Sequence, residues 1–292
     1  MAANAAIPTE LGTEKIGKLL KQYALPAIIA QTASSLYNMV DSIFIGQGVG
    51  PLAISGLAVT FPLMNLSTAF GTLVGAGAAT MLSVLLGQKN YKAANKVLGN
   101  VVSLNIIIGI IFMVLALIFI DPILYFFGAS ENTLPYAKEY MKIILYGNII
   151  THLYFGLNAA MRSSGSPKKA MGLTIFTVLF NTILDPIFIF VFDMGIAGAA
   201  WATVLAQTCA MLVVLHHFNN KERAFHFEKG IFRLDWRVAK DSLAIGMGPF
   251  LMNSAACLVT LFINQQLREY SGDLGIGAYG ICNRFIFMFA MI

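Results

Sequence analysis

Charged residues are scarce in this chain. Asp, Glu, Lys and Arg make up 11% of its 292 residues, whereas soluble domains average about 25%. So little charge cannot cover a folded surface in water, which excludes an ordinary soluble globular enzyme. Disorder is excluded as well, because 58% of the residues are hydrophobic and 12% are aromatic, and such a chain does not stay solvated.

Cysteine is also sparse, and the positive charge is dispersed. The three cysteines, Cys209, Cys257 and Cys282, lie far apart in apolar runs and lack the CxxC spacing of zinc or redox sites, so we predict that they are packing residues. The net charge of +5 lies mainly in short connectors and forms no basic stripe. We therefore expect no nucleic-acid partner.

What the chain does contain is eight apolar runs of membrane length. A helix needs about 20 apolar residues to cross about 30 Å of hydrocarbon, and backbone groups in lipid must be satisfied within the segment, so these runs must be helices. The predicted fold class is all-α, a polytopic membrane helical bundle. The predicted spans are 19–45, 53–86, 97–120, 140–161, 170–192, 196–216, 243–267 and 276–292.

The distribution of basic residues predicts the orientation. Fifteen of the nineteen Lys and Arg residues lie in the N-terminal segment and in the second, fourth and sixth connectors, and cytoplasmic loops carry such an excess. We therefore expect a protein of the inner (cytoplasmic) membrane whose N-terminus lies in the cytoplasm. Residues 225–238 of the sixth connector fit either an amphipathic helix on the inner leaflet or an ordinary linker. The sequence stops inside its last apolar run, which predicts a fragment of a longer protein.

Two acidic residues lie well inside the predicted spans, Asp41 in the first and Asp185 in the fifth. A carboxylate there costs several kcal/mol, so such residues usually face the bundle interior and serve ion or substrate paths. At about 1.5 Å rise per residue, both lie in the outer half of the membrane, near the depth of Thr203. Asn181 lies one turn from Asp185 on the same helix face. We expect these four side chains to share one cavity.

The chemistry of this set suits a small cation or a proton. Carboxylate, amide and hydroxyl oxygens are hard ligands of the kind sodium prefers, and two buried carboxyls close together favour retention of one proton. Pro186 follows Asp185 and is expected to kink the helix and free a carbonyl. The alternative is that each Asp merely hydrogen-bonds to a neighbouring helix.

Other motifs indicate packing rather than chemistry. Gly71, Gly75 and Gly77 form a GxxxGxG stretch inside an apolar helix, where close helix packing is expected rather than nucleotide binding. His152 has no second His or Cys nearby in sequence, so we interpret it as a bonded core residue. The spans contain no nucleophile with a positioned base and no metal-ligand set, so we do not expect an enzyme. A gated channel would need a pore-lining polar stripe, which is not visible.

Five sequence passages together resemble the multidrug and toxic compound extrusion (MATE) family, in its prokaryotic DinF-like branch. The resemblance covers the chain from Lys15 to Ile292 and depends on the order and spacing of the passages, since each alone is weak. The passages are 24–26 (ALP), 41–46 (DSIFIG), 86–90 (LGQKN), 161–167 (MRSSGSP) and 181–186 (NTILDP).

The resemblance implies a twelve-helix protein of two six-helix lobes around a central cavity. Residues 1–217 would be the first lobe, 218–241 a cytoplasmic linker, and 242–292 the first two helices of the second lobe. It also implies antiport, in which proton or sodium entry drives export of organic, often cationic and amphipathic, compounds by alternating access. No cofactor beyond the coupling ion is implied, and a monomer is expected to function once full length.

The resemblance assigns roles residue by residue. Related branches carry an acid in the seventh helix, but residues 243–267 contain none, so coupling is expected in the first lobe. The nearest alternative function is a flippase for lipids or lipid-linked sugars, which would need basic residues in its cavity. The predicted spans contain almost no basic residues, which disfavours a flippase, and Arg284 is the exception. The implied cation site, a candidate sodium site, consists of Asp41, Asn181, Asp185 and Thr203. The candidates for the substrate cavity are Asn158 and Tyr37. The candidate hinges are Pro26 and Pro186.

Overall fold

The computed structural model describes residues 14–220, 226–227 and 234–291. Within these ranges all regular structure is helical, which confirms the predicted all-α class. One π-helical turn is described, at Ile187–Val191. The helices are α1 Ile16–Gly48, α2 Pro51–Gly87, α3 Tyr91–Ile118, α4 Ile120–Phe126, α5 Leu134–Tyr146, α6 Asn148–Ser163, α7 Pro167–Pro186, α8 Gly195–Asn219 and α9 Trp236–Met291.

Five helices in the described part of the chain are long and apolar enough to cross a membrane, namely α2, α3, α7 with its π-helical turn, α8 and α9. The first predicted span, α1, is 33 residues long but is not among the five. Its polar side chains, including Gln31, Asn38 and Asp41, line an internal cavity. The helix is less apolar because one of its faces points toward that cavity rather than toward lipid.

The fourth predicted span is interrupted at Gly147. The hydrogen bonds from Gly147 N to Ile143 O (3.1 Å) and from Thr151 N to Gly147 O (3.0 Å) carry the ladder across the interruption, so α5 and α6 together form one membrane-length segment. A Cβ at Gly147 would lie 2.6 Å from Val204 Cγ2. The missing side chain therefore allows α8 to approach this segment closely.

The seventh and eighth predicted spans both lie in α9, which bends at Gly272 (φ 65°, ψ −163°). The predicted connector 268–275 was too long, because only Gly272 leaves the helical conformation. Asn264 Nδ2 donates to Phe127 O (3.3 Å) beside the bend, whereas Arg284 Nη1 reaches Asn38 O of α1 (3.0 Å). The two halves of α9 thus form a hairpin that packs against α1 and α2.

A very close helix contact joins α2 to the first half of α9, and we call the pair Gly77 and Gly246 the glycine seam. A Cβ at Gly77 would lie 1.8 Å from Ser242 O, and one at Gly246 would lie 1.8 Å from Leu73 O. Only glycine permits such an approach of two backbones. The packing interpretation of the GxxxGxG stretch is therefore confirmed.

Residues 221–225 and 228–233 of the sixth connector, which include half of 225–238, lie outside the described residues. The described positions 226, 227, 234 and 235 are not helical. The backbone N–H of Asp235 donates to Asn100 Oδ1 (3.1 Å), and that of His226 donates to Asn95 Oδ1 (3.3 Å). These contacts attach the described parts of the connector to the N-terminal part of α3.

Candidate functional site

A cavity of about 450 Å³ lies between α1, α2, the α5–α6 segment, α7, α8 and α9. Its lining includes the predicted cation-site residues Asp41, Asn181 and Thr203 and both predicted substrate-cavity residues, Tyr37 and Asn158. The fourth predicted cation-site residue, Asp185, is fully buried one turn beyond Asn181. The structure therefore brings together residues from α1, α6, α7 and α8, which are far apart in sequence.

Helix α7 places two of these side chains on one face. Asn181 and Asp185 are four residues apart, so they project one above the other. The Asn181 amide donates to Asp185 Oδ2 (2.9 Å) and accepts from the backbone N–H of Thr203 (2.9 Å). The α-helix ends at Pro186 and continues as the π-helical turn, so the helical geometry changes directly after Asp185.

Helix α8 carries Thr203 toward α1 and α7. Gly198 lies against the backbone of Phe188, where a Cβ would come within 2.9 Å of Phe188 C, so α8 starts very close to the π-helical turn. Just over one helical turn later, Thr203 Oγ1 shares a hydrogen bond of 2.7 Å with Tyr37 Oη of α1. Thr203 therefore links the three helices that contribute to the site.

The site, which we call the acid cluster (Asp41, Asn181, Asp185 and Thr203), contains unsatisfied oxygens. Asp41 is 4% exposed and Asp185 is 0% exposed, and Oδ1 of each lacks a hydrogen-bond partner among the described residues. The two carboxyl groups are also close enough to interact electrostatically. Buried polar atoms are almost always bonded, so two orphan carboxylate oxygens in one region make the acid cluster a candidate site for a cation or a proton.

A second buried polar group, between α2 and α6, contains no carboxyl group and is largely bonded. Ser67 Oγ donates to Asn148 Oδ1 and contacts His152 Nε2 at 3.2 Å, while Asn148 Nδ2 donates to Gly109 O (3.2 Å). His152 is fully buried, which confirms its interpretation as a bonded core residue. Within this described group, His152 Nδ1 is the atom that lacks a partner.

The remaining predicted residues have separate environments. Asn158 lines the cavity and donates to Ala170 O in the first turn of α7 (3.3 Å), which places it near the connection between α6 and α7. Pro26 lies buried within α1 and is not part of the cavity lining. Pro186 closes α7 beside the acid cluster.

Sequence reasoning missed Tyr140 and Gln207 and left Arg284 without a role. Tyr140 is buried and lines the cavity with Asp41, but an aromatic residue in an apolar run carries no signal of this kind. Gln207 accepts a hydrogen bond from Thr151; it lies four residues after Thr203, so the same helix-face argument could have identified it. Arg284 lines the cavity as well.

Comparison with known proteins gives related sequences and a related fold. The chain is 31% identical over 271 residues to the multidrug export protein MepA of Staphylococcus haemolyticus (strain JCSC1435), covering 93% of this chain and 60% of that protein. It is 30% identical to MepA of Staphylococcus aureus (strain MRSA252), covering 92% and 59%. A solved structure of the MATE multidrug transporter DinF-BH matches with a TM-score of 0.90 and 33% identity, covering 96% of this chain and 63% of that one.

The chain thus spans about 60% of the length of the curated relatives it matches. The MatE family model matches residues 26–187, a region that runs from the first proline of α1 through the acid-bearing helix α7. Family model, relatives and fold agree with the helical membrane bundle described above, and this chain belongs to the MATE family.

Proposed function

We propose that this chain carries the ion-coupling half of a cation-coupled antiporter that exports organic compounds across the cytoplasmic membrane. The observation that carries the proposal is the pair of buried carboxylate oxygens, on Asp41 and Asp185, that lack a partner in the described structure. A proton or a sodium ion bound there would neutralise charge that is otherwise costly at this depth. The acid cluster would therefore be the coupling site.

Each residue of the acid cluster has a distinct role in this proposal. Asp41 and Asp185 supply the negative charge, Asn181 holds Asp185 and the backbone of Thr203 through its amide, and Thr203 supplies a hydroxyl oxygen. Sodium accepts this mixture of oxygen ligands, and a proton needs only the two carboxyls. Tyr37 and Asn158 line the adjoining space, which we assign to the organic substrate.

Ion binding would drive export by favouring one conformation over the other. A ligand shifts an equilibrium only by its differential affinity for the two states, and the charge on the acid cluster is the quantity that an ion changes. Neutralisation would allow α1 to repack, with Pro26 and Pro186 as hinges, and would lower the affinity for substrate. A protein of this kind would work as a monomer by alternating access, with its N-terminus in the cytoplasm.

The names of the relatives support the substrate class. The two MepA proteins are multidrug export proteins, and DinF-BH is a multidrug transporter. We therefore propose amphipathic organic molecules as substrates of the full-length protein. The polar and aromatic lining supplied by Tyr37, Tyr140 and Asn158 is compatible with molecules that combine apolar surface with a polar group.

The test is transport by the full-length protein in proteoliposomes. Export of a fluorescent dye should depend on an imposed proton or sodium gradient and should fall to background in Asp41→Asn and in Asp185→Asn. Asp193→Asn is the matched control, because Asp193 is exposed at the end of the π-helical turn. Unchanged gradient-driven export in both cluster variants would contradict the proposal.

A flippase for anionic lipids is the second candidate, and one observation favours it. Arg162 and Arg284 both line the cavity, and guanidinium groups bind phosphate well. A flippase assay with fluorescent phospholipid in the same proteoliposomes distinguishes the two functions. Lipid movement without dye export would favour the flippase.

A further inference from the structure

Arg284 stands apart from the other cavity residues, because it comes from the second half of α9 and reaches the helix that carries Asp41. Its Nη1 donates to the carbonyl oxygen of Asn38 (3.0 Å), about one turn before Asp41 on α1. The same carbonyl accepts from Ser42 Oγ (2.7 Å). Arg284 thus contacts the segment of α1 that positions Asp41.

The guanidinium also carries the charge opposite to that of the acid cluster. Arg284 and Asp41 both line the cavity and interact electrostatically. The other ionisable side chains that interact with Arg284 are Tyr37 of α1 and Tyr140 of α5, and Asp185 of α7 interacts with Asp41. Asp41 is therefore the only carboxyl among the described groups found to interact with Arg284.

We propose that Arg284 is the resident counter-cation of Asp41 and that the charge of Asp41 holds α9 against α1. Arginine remains protonated in proteins, so the attraction depends on the state of Asp41 alone. A proton or sodium ion on Asp41 removes that attraction and weakens the contact between the two helices. By linkage the effect is reciprocal, because Arg284 in turn opposes cation binding at Asp41.

Arg284 is in this view a positioning residue, because it acts on the ion through Asp41. The identity of the coupling ion depends on the proposed function, but the electrostatic link between Arg284 and Asp41 does not. Through this link, neutralisation of the Asp41 carboxyl loosens the contact between α9 and α1. An alternating-access cycle needs such a coupling between ion binding and helix packing. The hydrogen bond to Asn38 alone would not give this effect, since a carbonyl does not change its charge.

The direct test is a double-mutant cycle on the purified full-length protein, measured by thermal unfolding in detergent. Arg284→Gln should lower the Tm when Asp41 is present, and more than half of that loss should disappear when Asp41→Asn is already in place. Arg284→Lys should retain most of the wild-type Tm because it keeps the charge. Arg268→Gln is the matched control, since Arg268 is exposed on the same helix.

Additive Tm changes for Asp41→Asn and Arg284→Gln would overturn the proposal, and so would an Arg284→Lys variant as unstable as Arg284→Gln. If Arg284→Gln does not fold, the Arg284→Lys comparison decides, in wild-type and Asp41→Asn backgrounds. None of these measurements uses transport, so they remain informative if the exporter function fails. In transport-competent protein, Arg284→Gln should also lower the sodium or proton concentration needed for half-maximal export; an unchanged value would contradict the reciprocal effect.

Discussion

At the glycine seam, two helix backbones lie so close that a single added carbon would overlap a carbonyl oxygen, since the expected Cβ of Gly246 falls 1.8 Å from Leu73 O. At the acid cluster, by contrast, one buried carboxylate oxygen on each of Asp41 and Asp185 contacts no donor among the described residues. The seam gains stability from shape and carries no charge, whereas the cluster keeps charge where it is costly. Overpacking the seam and removing the charge of Asp185, which has no arginine partner of its own among the described residues, should therefore have opposite effects on stability.

The largest expected effect is on the seam. Gly246→Val adds a branched side chain against the backbone of α2, and overpacking of this kind costs about 1–3 kcal/mol or more. We expect a lowered Tm and a smaller monodisperse fraction in size-exclusion chromatography. Gly248→Ala is the matched control on the same helix, because a Cβ there meets nothing within 4 Å. Wild-type behaviour of Gly246→Val would show that the seam is not rigid.

The acid cluster should respond in the opposite direction. Asp185→Asn removes a buried charge that faces Asp41, so we expect the Tm to rise by roughly 2–4 °C, about 1 kcal/mol, while export is lost. Stability exchanged for function in this way is common at active sites.

Asp193→Asn serves as the control for this measurement. Asp193 is exposed and has a positive φ of 52°, a conformation that Asn adopts readily. The Tm of Asp193→Asn should therefore stay at the wild-type value. A Tm loss in Asp185→Asn comparable to that of Gly246→Val would mean that the carboxylate is a structural hydrogen-bond acceptor, the alternative that the sequence left open.

The contrast also explains which features the sequence revealed. Asp41 and Asp185 were identifiable because an acid within an apolar run is rare and costly, and their shared region followed from helix geometry. Tyr140 and the pairing of Arg284 with Asn38 depend on how distant helices pack, which no local pattern encodes. The break at Gly147 and the short turn at Gly272 were missed for a similar reason, because hydropathy reports neither. The break at Gly147 reflects the close approach of α8, and the turn at Gly272 reflects the reversal of the chain within α9.

A smaller effect is expected at the edge of the acid cluster. Thr203→Val keeps the backbone N–H that donates to Asn181 but removes the hydroxyl that bonds Tyr37. Loss of one neutral hydrogen bond is worth about 0.5–1.5 kcal/mol, so the ion concentration for half-maximal export should rise by about two- to tenfold. Thr208→Val is the control, because the Thr208 hydroxyl bonds the Val204 carbonyl of its own helix. Equal effects of both variants would remove Thr203 from the site.

The smallest effect is expected where charge is exposed. Lys138 Nζ lies 2.7 Å from Asp121 Oδ2, but the two side chains are 33% and 44% exposed, and such pairs contribute about 0–1 kcal/mol. Lys138→Gln should therefore leave both Tm and export near wild type, and any loss should shrink further at high salt, because screening already weakens the pair. Suppose that Lys138→Gln instead destabilised the protein as strongly as Gly246→Val. Burial would then not determine the free-energy cost of a polar group. The inference from the unbonded carboxylate oxygens to a coupling ion would lose its physical basis.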